Sequence, residues 1–298
     1  MSKSGFVSIS GQPNVGKSTI LNGILKEKVA IISKRPETTR DNIRGILTEE
    51  DLQIIFVDNP GIHKPHNLLG KVMLTRAQNS LLESDIILFV TEKRLAFDGE
   101  DKNIRSRLPE PSEGKKVILV INKVDKVKEK ELLLPLIEKA NKFYPFDDVV
   151  PICALKEKDL KRLLDVIKSY LPEGPMLYPE ETLTDKGERF MVQEIIREKI
   201  LTETYEEVPH SVAVLINDWK EKDDEGLIQI FATVYVERSS QKSIIIGKGG
   251  TKMKRIGELA RKEIEALLGR HVYLDLWVKV YEKWKKDPEA LRDLGYSD

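Results

Sequence analysis

The chain has 298 residues, of which 40% are hydrophobic and 33% are charged. Its 49 basic and 49 acidic residues cancel, so no global charge drives the chain toward nucleic acid or a membrane surface, and any such surface must be local. The length predicts about two domains.

The single cysteine, Cys153, excludes an intramolecular disulfide and agrees with a reducing cytoplasm. No extended apolar segment typical of a signal peptide opens the sequence. The longest apolar runs, at residues 86–90 and 117–121, are far too short to span a bilayer. We therefore expect a soluble, cytoplasmic protein, and because the sequence has no heptad pattern we expect a monomer.

Strand-like and helix-like stretches alternate up to about residue 171. The predicted strands are residues 6–10, 43–48, 53–58, 86–90, 117–121 and 149–152, and the predicted helices are residues 18–26, 68–82, 99–107, 129–143 and 158–170. Such alternation predicts a mostly parallel, doubly wound α/β sheet. Ligands bind these sheets at the carboxyl ends of the strands.

The segment from Gly11 to Ser18 fits the phosphate-binding pattern G-x-x-x-x-G-K-[ST] and lies between a predicted strand and a predicted helix. Backbone N–H groups in such a loop curl around an anion at a helix N-terminus. Lys17 can reach the β- and γ-phosphates, and the Ser18 hydroxyl can ligate Mg²⁺. The alternative, a simple glycine-containing turn, is disfavoured because every fixed position of the pattern is satisfied.

Asp58 and Gly61 follow another predicted strand. A carboxylate there can hold Mg²⁺, and the Gly61 N–H can reach a γ-phosphate. Asp-x-Pro-Gly is also a common turn, but its place downstream of a phosphate loop favours the metal site. The predicted phosphate-binding residues are Asn14, Val15, Gly16, Lys17, Ser18, Thr19, Asp58 and Gly61.

Three residues after the strand at 117–121 point to a guanine base. The Asp125 carboxylate can accept hydrogen bonds from N1–H and the exocyclic amine of guanine, a donor pair that adenine lacks. Asn122 would tie this loop to the phosphate loop, and the stem of Lys123 would cover the base. Ala154 follows the last predicted strand, where its backbone N–H would meet the guanine carbonyl oxygen.

In this order the motifs make residues 1–171 resemble a translation-factor-related, Ras-like GTPase domain. The resemblance implies GTP as substrate, with Lys17, Thr39 and Gly61 as catalytic residues. It implies that Thr39 joins Ser18 and Asp58 on Mg²⁺ when the γ-phosphate is present, with Thr38 as the alternative. The chain has Asn59 and Cys153 where such families usually have Thr and Ser, and neither change removes a backbone contact.

Ile62 stands where Ras-like enzymes place a glutamine that orients the attacking water. An isoleucine cannot do so, and the resemblance therefore implies slow unaided hydrolysis. Asn14 resembles the asparagine that coordinates K⁺ in potassium-stimulated relatives, so K⁺ is a candidate second cation.

Residues 172–185 are rich in proline and glycine and are predicted to link two domains. Residues 186–298 then follow the order α-β-β-α-α-β, with helices at 186–202 and 251–268, a further helix before Gly247, and strands at 211–217, 227–236 and 272–280. This order, with Gly-Lys-Gly-Gly between two helices, resembles an α+β type II KH domain, whose clamp holds about four nucleotides.

The resemblance predicts an RNA-binding surface around the glycine loop. Its residues are Ile246, Gly247, Lys248, Gly249, Gly250, Lys252, Lys254 and Arg255. An apolar groove lined by Ile244, Ile246, Ile256 and neighbouring strand residues would receive bases. Two alternatives remain, a plain helix–helix turn and a solvated basic helix face. The tryptophans are expected to be packing residues rather than base-stacking platforms.

The pairing of these two domains resembles the Era family, bacterial GTPases associated with small ribosomal subunit assembly. The resemblance implies binding to small-subunit ribosomal RNA near its 3′ end, a partnership with the small subunit, and contact with the inner face of the cell membrane. We predict a GTP-gated RNA-binding switch. The alternatives are an RNA-binding scaffold with structural GTP and a membrane-surface signalling GTPase.

Overall fold

The computed structural model describes residues 2–33, 35, 37–92, 104–110, 114–126, 133–205, 207–222 and 226–296. Two compact units are present, the first mainly within residues 1–185 and the second mainly within 186–298. The predicted helix at 99–107 lies largely outside the described residues, as do the first residues of the predicted helix at 129–143 and residues 34 and 36 of the loop before Thr39.

The first unit is built on a six-stranded sheet of order β2-β3-β1-β4-β5-β6. Its strands are β1 (Lys3–Gly11), β2 (Ile43–Glu49), β3 (Leu52–Asp58), β4 (Ile86–Glu92), β5 (Lys116–Asn122) and β6 (Asp148–Pro151). Strand β2 runs antiparallel to β3, and the other neighbours are parallel. Strands β3, β4 and β5 are near-continuous apolar runs because helices cover both faces of the sheet.

In the described part of this unit, four helices lie on the two faces of the sheet. They are α1 (Lys17–Leu25), α2 (Leu68–Glu83), α3 (Leu133–Phe143) and α4 (Glu157–Tyr170). Helix α1 packs against α4. On the other face, Ala77 and Leu81 of α2 and Ala140 of α3 share a core with Phe89 and Leu119 of the sheet. This layering is the mostly parallel, doubly wound class that the alternation predicts.

Residues 172–185, the predicted linker, pack on the first unit. The buried amide of Gln53 accepts hydrogen bonds from Leu177 N (2.7 Å) and Tyr178 N (2.9 Å) and donates one to Tyr178 O (2.9 Å). Farther along, Ile46 N of the edge strand β2 donates to Leu183 O (2.9 Å). A segment held by this many hydrogen bonds is part of the fold and not a loose tether.

The second unit has a three-stranded sheet of order β7-β8-β9. Its elements are α5 (Glu188–Glu203), the short α6 (Val208–Ser211), β7 (Ala213–Lys222), β8 (Leu227–Val236), α7 (Ser239–Ile246), α8 (Thr251–Leu268), β9 (His271–Val280) and α9 (Pro288–Asp293). Strand β8 is antiparallel to β7 and parallel to β9.

The core of this unit lies on one face of its sheet. The amphipathic helix α8 buries Ile256, Ala260 and Ile264 at a spacing of four residues, which places them on one helix face. They pack with apolar residues of α5, α7 and the sheet. Apart from the short helix α6, the observed order is the predicted α-β-β-α-α-β.

Candidate functional site

The loop after β1 has a backbone that only glycine tolerates at two positions. Gly11 has φ 154° and Gly16 has φ 99°. A Cβ on Gly11 would lie 2.2 Å from Val90 O, and one on Gly16 would lie 2.3 Å from Asn122 Nδ2. Glycine thus lets the loop curl tightly against the ends of β4 and β5 and leads directly into α1.

Lys17 is buried at the first turn of α1, with 6% of its surface exposed. Its Nζ donates to Gln12 O (3.0 Å) and Gly11 O (3.4 Å), so the loop carbonyls hold the ammonium inside the cradle. Burial lowers the pKa of Lys17 from 10.5 to about 8, opposed by the charge of Asp58. A desolvated cation at a helix N-terminus favours an anion, because a phosphate restores the interactions lost from water.

Ser18, Thr39 and Asp58 meet beside this lysine. The Ser18 hydroxyl donates to Asp58 Oδ2 at 2.6 Å and lies 3.1 Å from Thr39 Oγ1, and Thr39 Oγ1 donates to Asp58 Oδ2 at 3.4 Å. Burial raises the pKa of Asp58 from 3.8 to about 6, although Lys17 and both hydroxyls oppose the shift. The structure thus brings Thr39 onto this cluster.

The donor set of this cluster fits Mg²⁺. Asp58 is fully buried, yet its Oδ1 has no hydrogen-bond partner in the described part of the chain. A buried carboxylate oxygen without a partner costs free energy unless a cation or donor joins it. Mg²⁺ prefers oxygen ligands and is held by one or two carboxylates together with phosphates. Asp58, Ser18 and Thr39 supply such oxygens.

Gly61 packs directly against the phosphate loop, where a Cβ would lie 2.9 Å from Pro13 N. The next residue, Ile62, donates its N–H to Gly11 O (3.1 Å) and is only 1% exposed. Its side chain lies in the apolar core with Ala77 and Phe89. Ile62 is therefore a core residue whose hydrocarbon side chain has no polar group to orient water.

Asn59, the residue found where related families have threonine, serves the fold. It is fully buried, and its Nδ2 donates to Ser8 Oγ at 2.6 Å and to Ile9 O at 3.3 Å. The amide thus ties the loop after β3 to the neighbouring strand β1.

His63 is a residue whose position the sequence pattern did not reveal. Its Nδ1 lies 2.9 Å from Gly61 O, and its Nε2 lies 3.2 Å from Glu37 Oε1. The imidazole thus bridges the loop before β2 and the loop after β3. Only its nearness to Gly61 in the chain could have suggested this place.

The loops after β5 and β6 are joined through the Asn122 side chain. Its Nδ2 donates to Val15 O (2.8 Å), and its Oδ1 accepts from Lys123 N (2.8 Å) and Ala154 N (3.0 Å). Asn122 thus ties these loops to the phosphate loop. The Ala154 N–H was expected to face a guanine carbonyl. It instead donates to the Asn122 amide oxygen, which also accepts from Lys123 N.

Lys123 and Asp125 line the same edge of the sheet. Lys123 adopts φ 60°, and its Nζ donates to Asn14 O (2.6 Å) and pairs with Glu92. Asp125 is exposed, and burial together with a hydrogen bond to Asp125 raises the pKa of the Cys153 thiol. The Asp125 carboxylate is therefore open to a ligand, with Lys123 extended toward the phosphate loop.

The glycine loop of the second unit joins α7 to α8 by left-handed backbone. Gly247, Gly249 and Gly250 have φ 74°, 59° and 77°. A Cβ on Gly247 would lie 2.8 Å from the Lys252 Cβ, whereas one on Gly250 would meet nothing within 4 Å. Gly250 therefore leaves its outer side open to an approaching backbone at the N-terminus of α8.

The predicted basic residues surround this loop on the protein surface. Lys248, Lys254 and Arg255 are exposed, and Lys252 is half-buried. Arg255 Nε pairs with Glu203 of α5 at 2.9 Å. Cationic groups thus lie on both sides of the Gly250 opening.

The apolar groove differs from the one that the sequence predicted. Ile256 is fully buried in the core and Ile244 is 42% exposed on α7. A cavity of about 320 Å³ instead lies between α8 and β9, lined by Met253, Lys254, Gly257, Glu258, Arg261, Leu274 and Leu276. The prediction of Ile256 was wrong because the α8 stripe that contains it packs on the sheet.

None of the helices that the structure describes has both the length and the apolar composition needed to cross a membrane.

Comparisons with known proteins cover both units. Residues 6–123 match a family model described as 50S ribosome-binding GTPase, and residues 207–285 match a KH domain model. The chain is 47% identical to GTPase Era of Staphylococcus epidermidis over 294 residues, which cover 99% of this chain and 97% of that protein.

Two solved structures are similar over the full length. A crystal structure of a point variant of Aquifex aeolicus Era bound to GDP·AlF4⁻ has a TM-score of 0.94 and 44% identity, with 99% of this chain and 100% of that chain covered. A crystal structure of Era in complex with MgGDPNP and nucleotides 1506–1542 of 16S ribosomal RNA has a TM-score of 0.95 and 44% identity, with both chains fully covered. With this identity over its whole length, the chain belongs to the Era family of GTPases.

Proposed function

We propose that this protein is a GTP-hydrolysing switch that binds small-subunit ribosomal RNA near its 3′ end and assists assembly of the small ribosomal subunit. The observation that carries the proposal is the meeting of Ser18, Thr39 and Asp58 beside a buried Lys17. These groups come from the start of α1, the loop before β2 and the end of β3, and they meet at the carboxyl edge of one sheet, where α/β proteins bind ligands. The relative bound to MgGDPNP and 16S ribosomal RNA supports both halves of the proposal.

The phosphate site acts mainly by positioning and electrostatics. The backbone of residues 14–19 cradles the phosphates, and Lys17 stabilises the charge that develops on the transferred group. Ser18, Thr39 and Asp58 would hold Mg²⁺, which neutralises phosphate charge when bound. Gly61 offers its N–H to the γ-phosphate, since no side chain blocks its approach.

Guanine specificity rests on Asp125. Its exposed carboxylate accepts from the two donors of guanine, and Asn122 holds its loop against the phosphate loop. The Lys123 stem covers the base. For the Ala154 N–H to reach the guanine carbonyl, its bond to Asn122 must lengthen or be shared.

Unaided hydrolysis is slow because Ile62 is buried and presents nothing to water. K⁺ at Asn14 is the proposed aid, since a monovalent cation adds positive charge beside the phosphates. Asn14 adopts φ 65°, and its carbonyl oxygen accepts a hydrogen bond from the Lys123 ammonium.

The same burial of Ile62 favours a second candidate, an RNA scaffold that binds GTP structurally. Multiple-turnover hydrolysis stimulated by ribosomal subunits would exclude it.

The second unit holds the RNA. Residues 246–250 clamp a sugar–phosphate backbone, with Lys248, Lys252, Lys254 and Arg255 supplying positive charge. The cavity between α8 and β9 takes bases. The protein acts as a monomer in the cytoplasm, and the same basic surface accounts for contact with anionic lipid at the inner membrane face.

The central test is a linkage experiment. If GTP alters RNA affinity, RNA must alter GTP affinity by the same factor. RNA of nucleotides 1506–1542 is titrated against nucleotide-free protein and against protein loaded with GDP or with a non-hydrolysable GTP analogue. We expect the tightest binding with the GTP analogue. Equal affinity in all three states would remove the switch and leave only an RNA-binding GTPase.

A further inference from the structure

The three-stranded sheet of the second unit has one face that its helices do not cover. On β9, Val272 and Val278 point into the core, whereas Tyr273 and Trp277 are 51% and 62% exposed. Side chains alternate across a strand, so both aromatic residues lie on the opposite face from the core. We name the surface formed by Phe231, Tyr273, Trp277, Lys220 and Lys279 the aromatic face.

Neighbouring groups hold the rings of the aromatic face in place. The rings of Phe231 and Tyr273 lie 6.1 Å apart at 59° to each other, and Lys220 Nζ lies 5.7 Å from the centre of the Phe231 ring. The Trp277 indole N–H donates to Asp275 Oδ2 at 3.0 Å. This hydrogen bond fixes the orientation of the indole ring through its N–H edge, while the ring itself stays exposed to solvent.

We propose that the aromatic face is a second RNA-binding surface, on which unpaired bases stack against Tyr273 and Trp277. The proposal rests on the RNA-binding function proposed above. Sheet surfaces with exposed aromatic residues bind single-stranded RNA by stacking two or three bases, and lysines beside them favour the phosphates. Tyr273 and Trp277 are four residues apart, about 13 Å along the strand, which leaves room for one base on each ring.

The aromatic face and the groove beside α8 lie on the two sides of one strand, β9. Strand β9 is the outermost strand of the sheet, and its Leu274 and Leu276 line that groove. Tyr273 and Trp277 occupy the alternate positions of the same strand. An RNA strand that leaves the groove needs only to cross the β9 edge to reach the two rings.

The length of the RNA and the exposed rings with lysines beside them favour RNA as the occupant. A KH clamp holds about four nucleotides, whereas the RNA bound by the similar Era protein extends over nucleotides 1506–1542. The two carboxylates of this surface are already engaged, Asp218 by Lys220 at 2.9 Å and Asp275 by the Trp277 indole. Lys279 is exposed at one end. The surface thus presents two exposed rings with lysines beside them, the combination that base stacking with phosphate contacts requires.

The test uses the full chain, loaded with a non-hydrolysable GTP analogue, and two RNA probes. One probe is the RNA of nucleotides 1506–1542. The other is a shorter fragment of the same RNA, found by truncation from both ends. It is the shortest fragment that the unchanged protein still binds more tightly than the Gly250→Asp variant does. The test variant is Tyr273→Ala/Trp277→Ala. Its controls are the ring-keeping Tyr273→Phe/Trp277→Phe and the exposed apolar change Leu267→Ala.

We expect the double alanine variant to bind the long RNA about 10- to 100-fold more weakly, since each stacked base contributes substantially to affinity. Binding of the short fragment should stay within about twofold of the unchanged protein, and both controls should bind both probes normally. Ultraviolet crosslinks from the long RNA should map to the β9 peptide. Thermal melting checks that the variant is folded, which the exposure of both rings favours.

Several results would overturn the proposal. Unchanged binding of the long RNA by the double alanine variant would refute it, and crosslinks from β9 to a ribosomal protein in that case would identify a protein-docking surface instead. An equal loss for both probes would mean that the rings belong to the groove. If the unchanged protein bound neither RNA, the proposed RNA-binding function itself would be refuted. If only the Gly250→Asp variant lost RNA binding, that function would stand.

Discussion

The nucleotide site and the RNA surface of this protein are built on opposite physical principles. The nucleotide site consists of buried polar groups, among them Lys17 and Asp58, whose pKa values are shifted by burial. The RNA surface consists of exposed lysines and arginines, glycine backbone and a shallow cavity. The phosphate end of the first is buried and tightly hydrogen-bonded, whereas the second is exposed and charged.

This difference predicts how each surface selects its ligand. Buried groups that lack a partner penalise a wrong ligand heavily, so the nucleotide site selects by hydrogen-bond geometry. Exposed cations attract any polyanion and lose affinity as salt rises, so the RNA surface depends on charge and stacking. Single substitutions should therefore have large effects in the first region and small, salt-dependent effects in the second.

The largest effect is expected at Asp125. Replacing it with alanine removes two charge-assisted hydrogen bonds to guanine, and GTP affinity should fall about 10²- to 10⁴-fold. Competition with a fluorescent GTP analogue measures the loss, and ATP competition shows whether selectivity disappears with it. Asp165→Ala, at an exposed position on α4, is the matched control. A loss below about tenfold would show that Asp125 does not contact the base.

Lys17 tests the phosphate cradle. Lys17→Ala removes the buried donor that stabilises charge on the transferred phosphoryl group, and single-turnover GTP hydrolysis should slow on the order of 10²–10³-fold. Lys26→Ala provides the control, because that lysine is exposed and pairs with Glu157 at the surface. If both variants hydrolysed GTP at the unchanged rate, the cradle would have no catalytic role.

Asp58 makes the nucleotide site sensitive to acid. Its pKa of about 6 means that the carboxyl of the ligand-free protein takes up a proton below pH 6, and a protonated carboxyl is a poor ligand for Mg²⁺. Mg²⁺-dependent GTP affinity should fall about tenfold for each pH unit below 6. Parallel titrations in EDTA subtract the ionisation of the phosphates themselves.

The stability of the ligand-free protein should depend on pH in the opposite direction and should rise as the pH falls. The folded-state pKa of Asp58 lies above the ordinary 3.8, so protonation relieves a buried charge, and this group adds stability as pH falls from about 6 toward 3.8. Asp58→Asn should abolish both pH dependences. Their persistence in that variant would assign them to another group.

Asn14 tests whether a second cation aids the slow site. At fixed ionic strength, hydrolysis should be several-fold faster in K⁺ than in Na⁺, and Asn14→Ala should remove the difference. Equal rates in the two salts would exclude a potassium site. Nothing would then replace the water-orienting side chain that Ile62 lacks.

The smallest effect is expected in the RNA surface. Lys248→Ala should weaken RNA binding about two- to fivefold and reduce the slope of log affinity against log salt by about 0.7, the contribution of one phosphate contact to single-stranded nucleic acid. GTP affinity should not change. Lys161→Ala, an exposed lysine of the first unit, should leave the slope unaltered. A loss that salt does not affect would mean that Lys248 acts by packing rather than by charge.

The two regions also differ in how far the sequence alone could describe them. The phosphate loop was predicted closely, because its glycines and Lys17 have fixed spacing within one strand–loop–helix unit. The groove proposed to take bases was not predicted closely, since α8 has apolar residues on two sides. Ile256 faces the core, whereas Met253 and Gly257 face the cavity. Periodicity shows that a helix has an apolar stripe, but not which neighbour covers it.

The sequence by itself determined the strand–helix alternation, the phosphate loop and the glycine loop, because each depends on local backbone geometry and spacing. Tertiary structure decided which threonine joins Asp58, that Ile62 is buried in the core, and that residues 172–185 pack against Gln53. It also decided that Trp277 is exposed on the sheet face opposite the core. These outcomes depend on contacts between residues far apart in the chain, where packing and burial select among choices that local sequence leaves open.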